Sequence, residues 1–559
     1  MASHLRTPPP LSQAPPLSHG CTTISSTFRP LRLSECKGQP WLLAVKSSKA
    51  EATLTQLKKM QEKSTKEKQH QEKEEELLEE VQYDETEEEI EKESAPLSER
   101  WREIQGENHW NGLFDPMDGL LRREIIRYGE FAQACYDAFD FDPYSKYCGT
   151  CKYTGGHFFE KLGMADSGHD LSRYLYATSN INLRNFFRKS KLTKVWSTHA
   201  NWMGYVAVTM DPHEVQRLGR RDVVIAWRGT VTYLEWLEDL MDYLAVPGFG
   251  PDGSVKVESG FLDLYTQKEH SCNYCSFSAR EQVLSDIRRL MERYKDDEHE
   301  LSITVTGHSL GGALALLSAY DIAETGLNIL PDGRRAPVTV FSFGAPRVGN
   351  RRFRERCKEL GVSVLRTVNV HDSVPKVPGV LVNEHVSVPR ALADGLPWSY
   401  AHVGVELALD DTKSPFLKPG LDPASRHNME LHLHLVDGHR GPGHKFLLAD
   451  KRDVALLNKS GGLLRDEYGV PPNWRQDENK GMVRGPDGRY VVPERPRIDA
   501  HPPDTAHHLQ HALKIVDAVT SSAAAFTAKS SSPSSASTSS AHASAYSSSV
   551  PAPKAVKAR

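Results

Sequence analysis

Apolar runs and amphipathic runs alternate along the chain from about residue 200 to residue 370. The apolar runs are rich in Val and Ile and lack strict alternation, as strands do that are buried on both faces of a sheet. They cover 206–210, 222–227, 301–306, 338–343 and 362–368. Segments with helical spacing cover 279–294, 310–324 and 350–360. Strands alternating with helices predict an α/β fold with a mostly parallel central sheet flanked by helices.

Composition divides the chain into four parts. Residues 1–50 are rich in Ser, Thr and Pro and carry a single acidic residue, which is typical of an organelle transit peptide. A disordered N-terminus with no targeting role is the alternative. Residues 51–98 are dense in Glu and Lys and predict a charged linker, helical or disordered. Regular aromatic residues predict one large domain over 99–515, and the Ser/Ala-rich stretch 516–559 predicts a disordered tail.

Charge and hydropathy narrow the class of function. The formal net charge of -4 lacks the basic excess of a nucleic-acid binder. No apolar run approaches the length of about 18 residues that a transmembrane helix needs, so any membrane contact is expected to be peripheral.

The cysteines form two CxxC pairs, at 148–151 and 272–275. Eight cysteines are too few for a disulfide scaffold in a chain of 559 residues. The internal spacing of each pair suits a Cys₄ zinc site, although the two pairs lie far apart in sequence. Redox-active disulfides and buried free thiols are the other two interpretations.

The candidate nucleophile is Ser309, which lies in the G-x-S-x-G pattern of residues 307–311. The apolar run 301–306 leads directly into the pattern, and a helix-forming run follows it, as a nucleophile elbow requires. The glycines remove side chains that would clash at a sharp turn. The backbone N–H of Leu310 is then placed to stabilise an oxyanion. A glycine-rich connection with no chemistry is the alternative.

A serine hydroxyl needs a general base, and the base needs an orienting acid. In α/β-hydrolases the acid and the histidine follow the serine in that order. Asp372 follows the predicted strand 362–368, where a loop would carry its carboxylate to the active edge of the sheet, although a turn or cap role is the alternative. Several histidines lie further downstream, among them His402 and His427, and their spacing does not choose between them.

A set of short motifs resembles the class 3 (fungal-type) lipase family and, more narrowly, the plant class I phospholipases A1 of the plastid. The motifs occur in family order within roughly residues 100 to 440. They are Trp227-Arg228-Gly229-Thr230, Gly260-Phe261-Leu262-Asp263-Leu264-Tyr265, the elbow at 307–312, Phe343 to Asn350, Asp372-Ser373-Val374-Pro375 and His427-Asn428-Met429-Glu430. The resemblance implies the α/β-hydrolase fold.

The resemblance also implies the site and the reaction. It favours His427 over His402 as the base beside Ser309 and Asp372, and it places Thr230 with Leu310 in the oxyanion hole. The acyl-enzyme mechanism needs no metal and no organic cofactor. The implied substrates are glycerolipids cut at the sn-1 ester, namely phosphatidylcholine and galactolipids, with triacylglycerol as a further candidate. The implied location is the chloroplast, with the mitochondrion as the alternative.

Residues 231–246 place Tyr233, Trp236, Leu237, Leu240, Met241 and Leu244 on one helical face. A core-facing helix is one interpretation. A lid that opens on lipid is the other, by analogy with fungal-type lipases, and it would bring the chain to a membrane surface. Two further functions stay open. The chain could be a water-soluble esterase or thioesterase, or a non-catalytic ligand-binding α/β-hydrolase module.

Overall fold

The computed structural model describes residues 95–180, 189–192, 195–230, 243–379, 399–450, 452–476, 481–495 and 498–530. The predicted transit peptide, nearly all of the predicted linker, residues 231–242 of the possible lid and the end of the predicted tail lie outside them. The described residues belong to one compact unit that starts at Glu76.

A seven-stranded sheet forms the centre of this unit, and its strands follow one another across the sheet in chain order. The first two neighbouring pairs are antiparallel and the next four are parallel, so the sheet is mostly parallel as predicted. The strands are β1 His169–Thr178, β2 Ala200–Thr209, β3 Arg221–Trp227, β4 Leu301–His308, β5 Val338–Phe343, β6 Val362–Asn369 and β7 Val405–Leu409.

Helices cover both faces of the sheet. They are α1 Leu97–Ile104, α2 Gly119–Ala138, α3 Phe158–Lys161, α4 Pro212–Leu218, α5 Ser259–Thr266, α6 Ala279–Arg293, α7 Leu310–Glu324, α8 Arg351–Glu359, α9 Pro423–Arg426, α10 Met429–Gly438 and α11 Thr505–Ser530. Short 3₁₀ turns occupy Gly155–His157, Ala165–Ser167, Val374–Lys376, Asp411–Lys413, Val454–Asn458 and Asp466–Tyr468, and two-residue strands pair Leu244–Ala245 with Val257–Glu258 and Val483–Arg484 with Tyr490–Val491.

Two hydrophobic cores explain the apolar runs of the sequence. Val223 and Ile225 of β3 belong to the core that contains α6 and α7, whereas Val224 between them belongs to the core that contains α2 and α10. Successive residues of a strand point to opposite faces, so a strand packed on both faces must be apolar at every position. Burying each such side chain contributes roughly 1.5–3 kcal/mol.

Local signals fix the ends of several helices. The side chain of Ser278 accepts a hydrogen bond from the backbone of Glu281, whose carboxylate accepts one from the backbone of Ser278 in return. This capping box fixes the start of α6 directly after Ser278. The structure departs from the sequence expectation at α11, which continues to Ser530 across the predicted boundary at residue 515. Ala is the best helix former, so the alanines after residue 520 extend the helix into the stretch expected to be disordered.

Of the possible lid over 231–246, the structure describes only residues 243–246. Leu244 was expected on the apolar face of a helix over 231–246, but it lies in the short strand that pairs with Val257–Glu258. Tyr243 before it and Val246 after it are exposed. A helix therefore does not extend to residue 246. Within the described ranges, no helix combines the length and apolar character needed to span a bilayer.

Candidate active site

The turn between β4 and α7 presents Ser309. Its backbone has φ 60° and ψ -129°, a conformation that costs a residue other than glycine about 1–3 kcal/mol. A methyl group on Gly307 would overlap the carbonyl of Gly311, and one on Gly311 would overlap the carbonyl of Trp227. Only glycine fits at these two positions. The sharp connection predicted from the sequence is therefore present, and α7 begins with Leu310 directly behind the serine.

Ser309 lies in a nearly closed environment. The residue is 1% exposed, and its Oγ has no hydrogen-bond partner among the described residues. Its backbone N–H donates to the carbonyl of Phe343 at 2.9 Å. On the other side, a methyl group on Gly229 would lie 3.3 Å from the Cβ of Ser309. Buried hydroxyls are normally paired, and those left unpaired need a reason such as a catalytic role.

Asp372 and His427 form a buried acid–imidazole pair. Oδ2 of Asp372 lies 2.6 Å from Nδ1 of His427, and Oδ1 accepts a hydrogen bond from the backbone of Val374 at 2.9 Å. The two residues are 0% and 6% exposed. A carboxylate that accepts a hydrogen bond from Nδ1 fixes the orientation of the imidazole, as a general base requires.

The acid–imidazole pair and the serine turn meet beside Gly344. A methyl group on Gly344 would lie 3.0 Å from Oδ2 of Asp372 and 3.2 Å from Nδ1 of His427. Gly344 follows Phe343, whose carbonyl accepts the hydrogen bond from Ser309. The structure thus pairs Asp372 with His427 and places this pair beside the turn that carries Ser309.

His308 connects the serine turn to the segment that carries His427. Its Nδ1 lies 2.6 Å from the hydroxyl of Tyr136, and its Nε2 lies 2.7 Å from the backbone carbonyl of His427. The rings of His308 and His427 have centroids 4.5 Å apart. Burial lowers the pKa of His308 well below its usual value, so this imidazole stays neutral. Neither Tyr136 nor His308 was among the site residues predicted from the sequence, and the one available signal was the place of His308 inside the elbow motif.

Neither His402 nor His432 makes the short contact that His427 makes with Asp372. Nε2 of His402 lies 2.8 Å from the carbonyl of Pro375. His432 is 4.0 Å from Oδ2 of Asp372 through its Nε2, and its Nδ1 lies 3.0 Å from the carbonyl of Asn428. Of these imidazoles, the one at hydrogen-bond distance from the carboxylate of Asp372 belongs to His427.

A cavity of about 630 Å³ opens beside this pair, a size in the range of small-molecule sites. Thr230, Tyr136, His308 and His427 line one side, and residues 459–475 contribute to the other. A larger cavity of about 860 Å³ lies at the opposite end of the strands, where β5, β6 and β7 begin. We assign the site to the smaller cavity, because it contains the acid-paired imidazole.

The two CxxC pairs do not form a metal site. None of these four cysteines forms a disulfide, all four are buried, and among the described residues no group of three or more potential metal ligands includes a cysteine. A hydrogen bond from Cys275, with another from Ser197, lowers the pKa of Cys272 to about 5. Cys151, in contrast, has its pKa raised to about 12 by burial. In the structure these cysteines are therefore reduced thiols. Formation of redox-active disulfides by the two pairs stays a prediction.

A mostly parallel sheet whose fourth strand ends in a serine turn, with an Asp–His pair beyond the sixth, is the arrangement of the α/β-hydrolase fold. The model of the family described as Lipase (class 3) matches residues 224–382. Phospholipase A1-Igamma3, chloroplastic, from Arabidopsis thaliana is 62% identical over 428 residues, which cover 75% of this chain and 81% of the relative.

Two further relatives match over a similar part of the chain. Phospholipase A1-II 6 from Oryza sativa subsp. japonica is 43% identical over 411 residues, covering 71% of this chain and 95% of the relative. Phospholipase A1-Igamma1, chloroplastic, from Arabidopsis thaliana is 61% identical over 423 residues, covering 74% and 82%. The chain belongs to the class 3 lipase family and is an ester hydrolase.

Proposed function

We propose that this enzyme hydrolyses the sn-1 ester of glycerolipids through Ser309, His427 and Asp372. The observation that carries the proposal is the 2.6 Å contact between Asp372 and His427, formed beside the strained turn that presents Ser309. A binding module would need neither the strain nor the buried acid–imidazole pair. The names of the relatives, which are phospholipases A1, support the choice of substrate.

The reaction proceeds in two acyl-transfer steps. His427 takes the proton of the Ser309 hydroxyl, whose oxygen attacks the ester carbonyl. The N–H of Leu310 and the hydroxyl of Thr230 stabilise the oxyanion. The intermediate collapses to an acyl-serine, and His427 gives its proton to the departing sn-1 oxygen of the glycerol. Water then attacks the acyl-serine with the same base, releasing the fatty acid and restoring the hydroxyl. Asp372 stabilises the charged form of His427 in both steps.

The setting of the reaction is inferred from the relatives and the sequence. Two of the relatives named above are chloroplastic, and residues 1–50 have the composition of a transit peptide, so we place the enzyme in the chloroplast. Its substrates there are phosphatidylcholine and galactolipids, with triacylglycerol as a further candidate. Because its substrates lie in bilayers or droplets, the enzyme works as a peripheral protein at a lipid surface.

The test is a panel of regiodefined lipids in which the sn-1 and sn-2 acyl chains differ. Wild type, Ser309→Ala and His402→Ala are incubated with phosphatidylcholine, monogalactosyldiacylglycerol and triacylglycerol, and mass spectrometry identifies the released acid. We expect the sn-1 acid from wild type and from His402→Ala, and none from Ser309→Ala. Release of the sn-2 acid, or equal release by Ser309→Ala, would contradict the proposal.

A second measurement separates a lipase from an esterase that acts on dissolved substrates. Rates with a short-chain phosphatidylcholine are followed across its critical micelle concentration. We expect a sharp rise when micelles form, whereas a smooth saturation curve would favour the water-soluble esterase. A fluorophosphonate that labels wild type and spares Ser309→Ala would exclude the non-catalytic module.

A further inference from the structure

Three potential metal ligands lie close together on two neighbouring loops. His371 follows β6 and directly precedes Asp372, while Asp410 and Asp411 follow β7. Nε2 of His371 is 3.3 Å from Oδ1 of Asp410 and 4.0 Å from Oδ1 of Asp411. One ligand atom of each residue lies within 4.8 Å of the other two.

The shorter of the two contacts of His371 has the length expected between two ligands of one cation. A charge-assisted N–H···O⁻ bond has a length of about 2.7–2.9 Å, which is shorter than either contact of His371. Zinc binds imidazole nitrogen and carboxylate oxygen at about 2.0–2.2 Å in a tetrahedron, whose ligands are then roughly 3.3–3.6 Å apart. The shorter contact has this length, and the longer one needs a small movement of an exposed side chain.

Asp411 supplies an independent reason to expect a ligand. The residue is 5% exposed, and its Oδ1 has no hydrogen-bond partner in the part of the chain that the structure describes. Its other oxygen, Oδ2, faces Nε of Arg426 at 3.4 Å. The arginine thus leaves Oδ1 directed towards His371. A buried acceptor with no donor costs free energy, and a cation would remove that cost.

Charge and donor type indicate the class of ion. Two carboxylates face the single guanidinium of Arg426, so the carboxylates carry one negative charge more than the arginine balances. Calcium and magnesium prefer sites made only of oxygen ligands, whereas a nitrogen donor favours a transition-metal dication. The side chain of His371 is 38% exposed, so water can complete the coordination.

We propose that His371, Asp410 and Asp411 bind a transition-metal dication such as Zn²⁺. The ion connects the loop after β7 to the loop after β6, where the backbone N–H of Val370 already donates to the carbonyl of Leu409 at 2.8 Å. It takes no part in the acyl transfer. Its effect is to hold in place the turn that carries Asp372.

The test measures binding to the full-length protein after treatment with a chelator and dialysis. Isothermal titration with ZnCl₂ and thermal unfolding are compared for wild type, His371→Ala and His213→Ala, which removes an exposed histidine outside the cluster. Loss of an outer-sphere partner weakens metal binding by about 10–100-fold, so loss of a ligand should weaken it by at least about 100-fold. Zn²⁺ should raise the Tm of wild type and His213→Ala, and leave that of His371→Ala unchanged.

Thiols also bind Zn²⁺, so Cys272→Ser/Cys275→Ser is titrated alongside. We expect this double variant still to bind the Zn²⁺ ion that His371→Ala no longer binds. Equal binding by wild type and His371→Ala, or loss of all binding in the double cysteine variant, would overturn the proposal. A preference for Ca²⁺ or Mg²⁺ over Zn²⁺ would overturn the assignment of the ion.

Discussion

The carboxylates of Asp222 and Asp372 are both completely buried, but they lie at opposite ends of the parallel strands of the sheet. Asp222 is near the start of β3, and it accepts hydrogen bonds from the hydroxyls of Tyr128, Ser302 and Thr304 at 2.7, 2.6 and 2.8 Å. Asp372 lies beyond the end of β6 and accepts one bond from a backbone N–H and one from an imidazole. Burial alone therefore does not mark a functional acid.

The two carboxylates differ in the kind of group that donates hydrogen bonds to them. Every donor of Asp222 is a hydroxyl that stays protonated, and burial raises the pKa of Tyr128 further above its usual value. Arg220, which is also buried, donates to Tyr128 and Ser302 and so encloses the network. One of the two donors to Asp372 is instead an imidazole, the side chain that most often serves as a general base. A closed network stabilises the fold, whereas a carboxylate paired with an imidazole supports proton transfer.

The largest effect is expected from Asp372→Asn. An amide cannot hold the proton of His427 on Nδ1, so the wrong tautomer faces the serine. In serine proteases the matching change lowers kcat about 10⁴-fold, and we expect a loss of that order here. Initial rates on micellar phosphatidylcholine measure it, and thermal unfolding should show a Tm close to that of wild type. Near-normal activity in a folded variant would remove Asp372 from the mechanism.

Asp222→Asn should give the opposite pattern. Removing one member of a buried charged network costs about 3 kcal/mol or more, so the free energy of unfolding in urea should fall by that amount. The rate per folded molecule should not change. The Arg220 guanidinium and the hydroxyls outweigh burial and lower the pKa of Asp222 below 3.8. A lowered pKa stabilises the fold above pH 3.8, so the difference from wild type should shrink only as the pH falls below that value.

The contrast also explains what the sequence could predict. The apolar runs of β3 to β6 and the elbow at Ser309 are local patterns, and both were predicted. His427 was selected through a family motif, because the 55 residues that separate it from Asp372 carry no spacing rule. Residues whose role depends on distant partners, such as Tyr136 and His308, have no local pattern that a single sequence displays.

The strands β1 and β7 were missed for a similar reason. β1 contains Arg173, which is 3% exposed and donates to the carbonyl of Gln282 and to Oγ1 of Thr505 at 2.8 and 2.9 Å. These partners lie more than one hundred residues away, so the sequence shows only a run that mixes charged, polar and apolar residues. β7 is a short edge strand, and its exposed Glu406 breaks the apolar pattern. Tertiary contacts override local preference in both strands.

A smaller effect is expected when the support of the catalytic histidine is weakened. Tyr136→Phe removes the hydroxyl at 2.6 Å from Nδ1 of His308, whose Nε2 lies at the carbonyl of His427. Loss of a buried hydrogen bond costs about 1–1.5 kcal/mol, and we expect a fall in kcat of roughly 10-fold. Tyr136 also lines the cavity, so KM is measured beside kcat, and an effect transmitted through His308 should lower kcat by a larger factor than it changes KM.

The matched control for Tyr136→Phe is Tyr205→Phe. The hydroxyl of Tyr205 is also buried and donates to the carbonyl of Phe131 at 2.9 Å, away from the acid–imidazole pair. Both variants should lower the Tm, and only Tyr136→Phe should lower kcat. An equal fall in kcat for the two variants would show that the effect of Tyr136 is a general loss of stability.

The smallest effect on hydrolysis is expected from modification of Cys272. Its lowered pKa of about 5 makes it a thiolate at neutral pH, whereas Cys151 has its pKa raised to about 12 by burial. The thiolate is the reactive form, so limiting iodoacetamide at pH 7 should alkylate Cys272 before Cys151, as peptide mass spectrometry would show. Cys272 packs with Cys275 and Ala200 in a small cluster separate from the two main cores, so the rate of hydrolysis should stay within about 2-fold of that of untreated enzyme.

The opposite outcome is tested because shifted pKa values are enriched at functional sites. Alkylation could instead abolish the activity of wild type and leave that of Cys272→Ser unchanged. The loop between α5 and α6 would then control the site, and Cys272 would contribute to the reaction, as Asp372 does, rather than only to the fold, as Asp222 does.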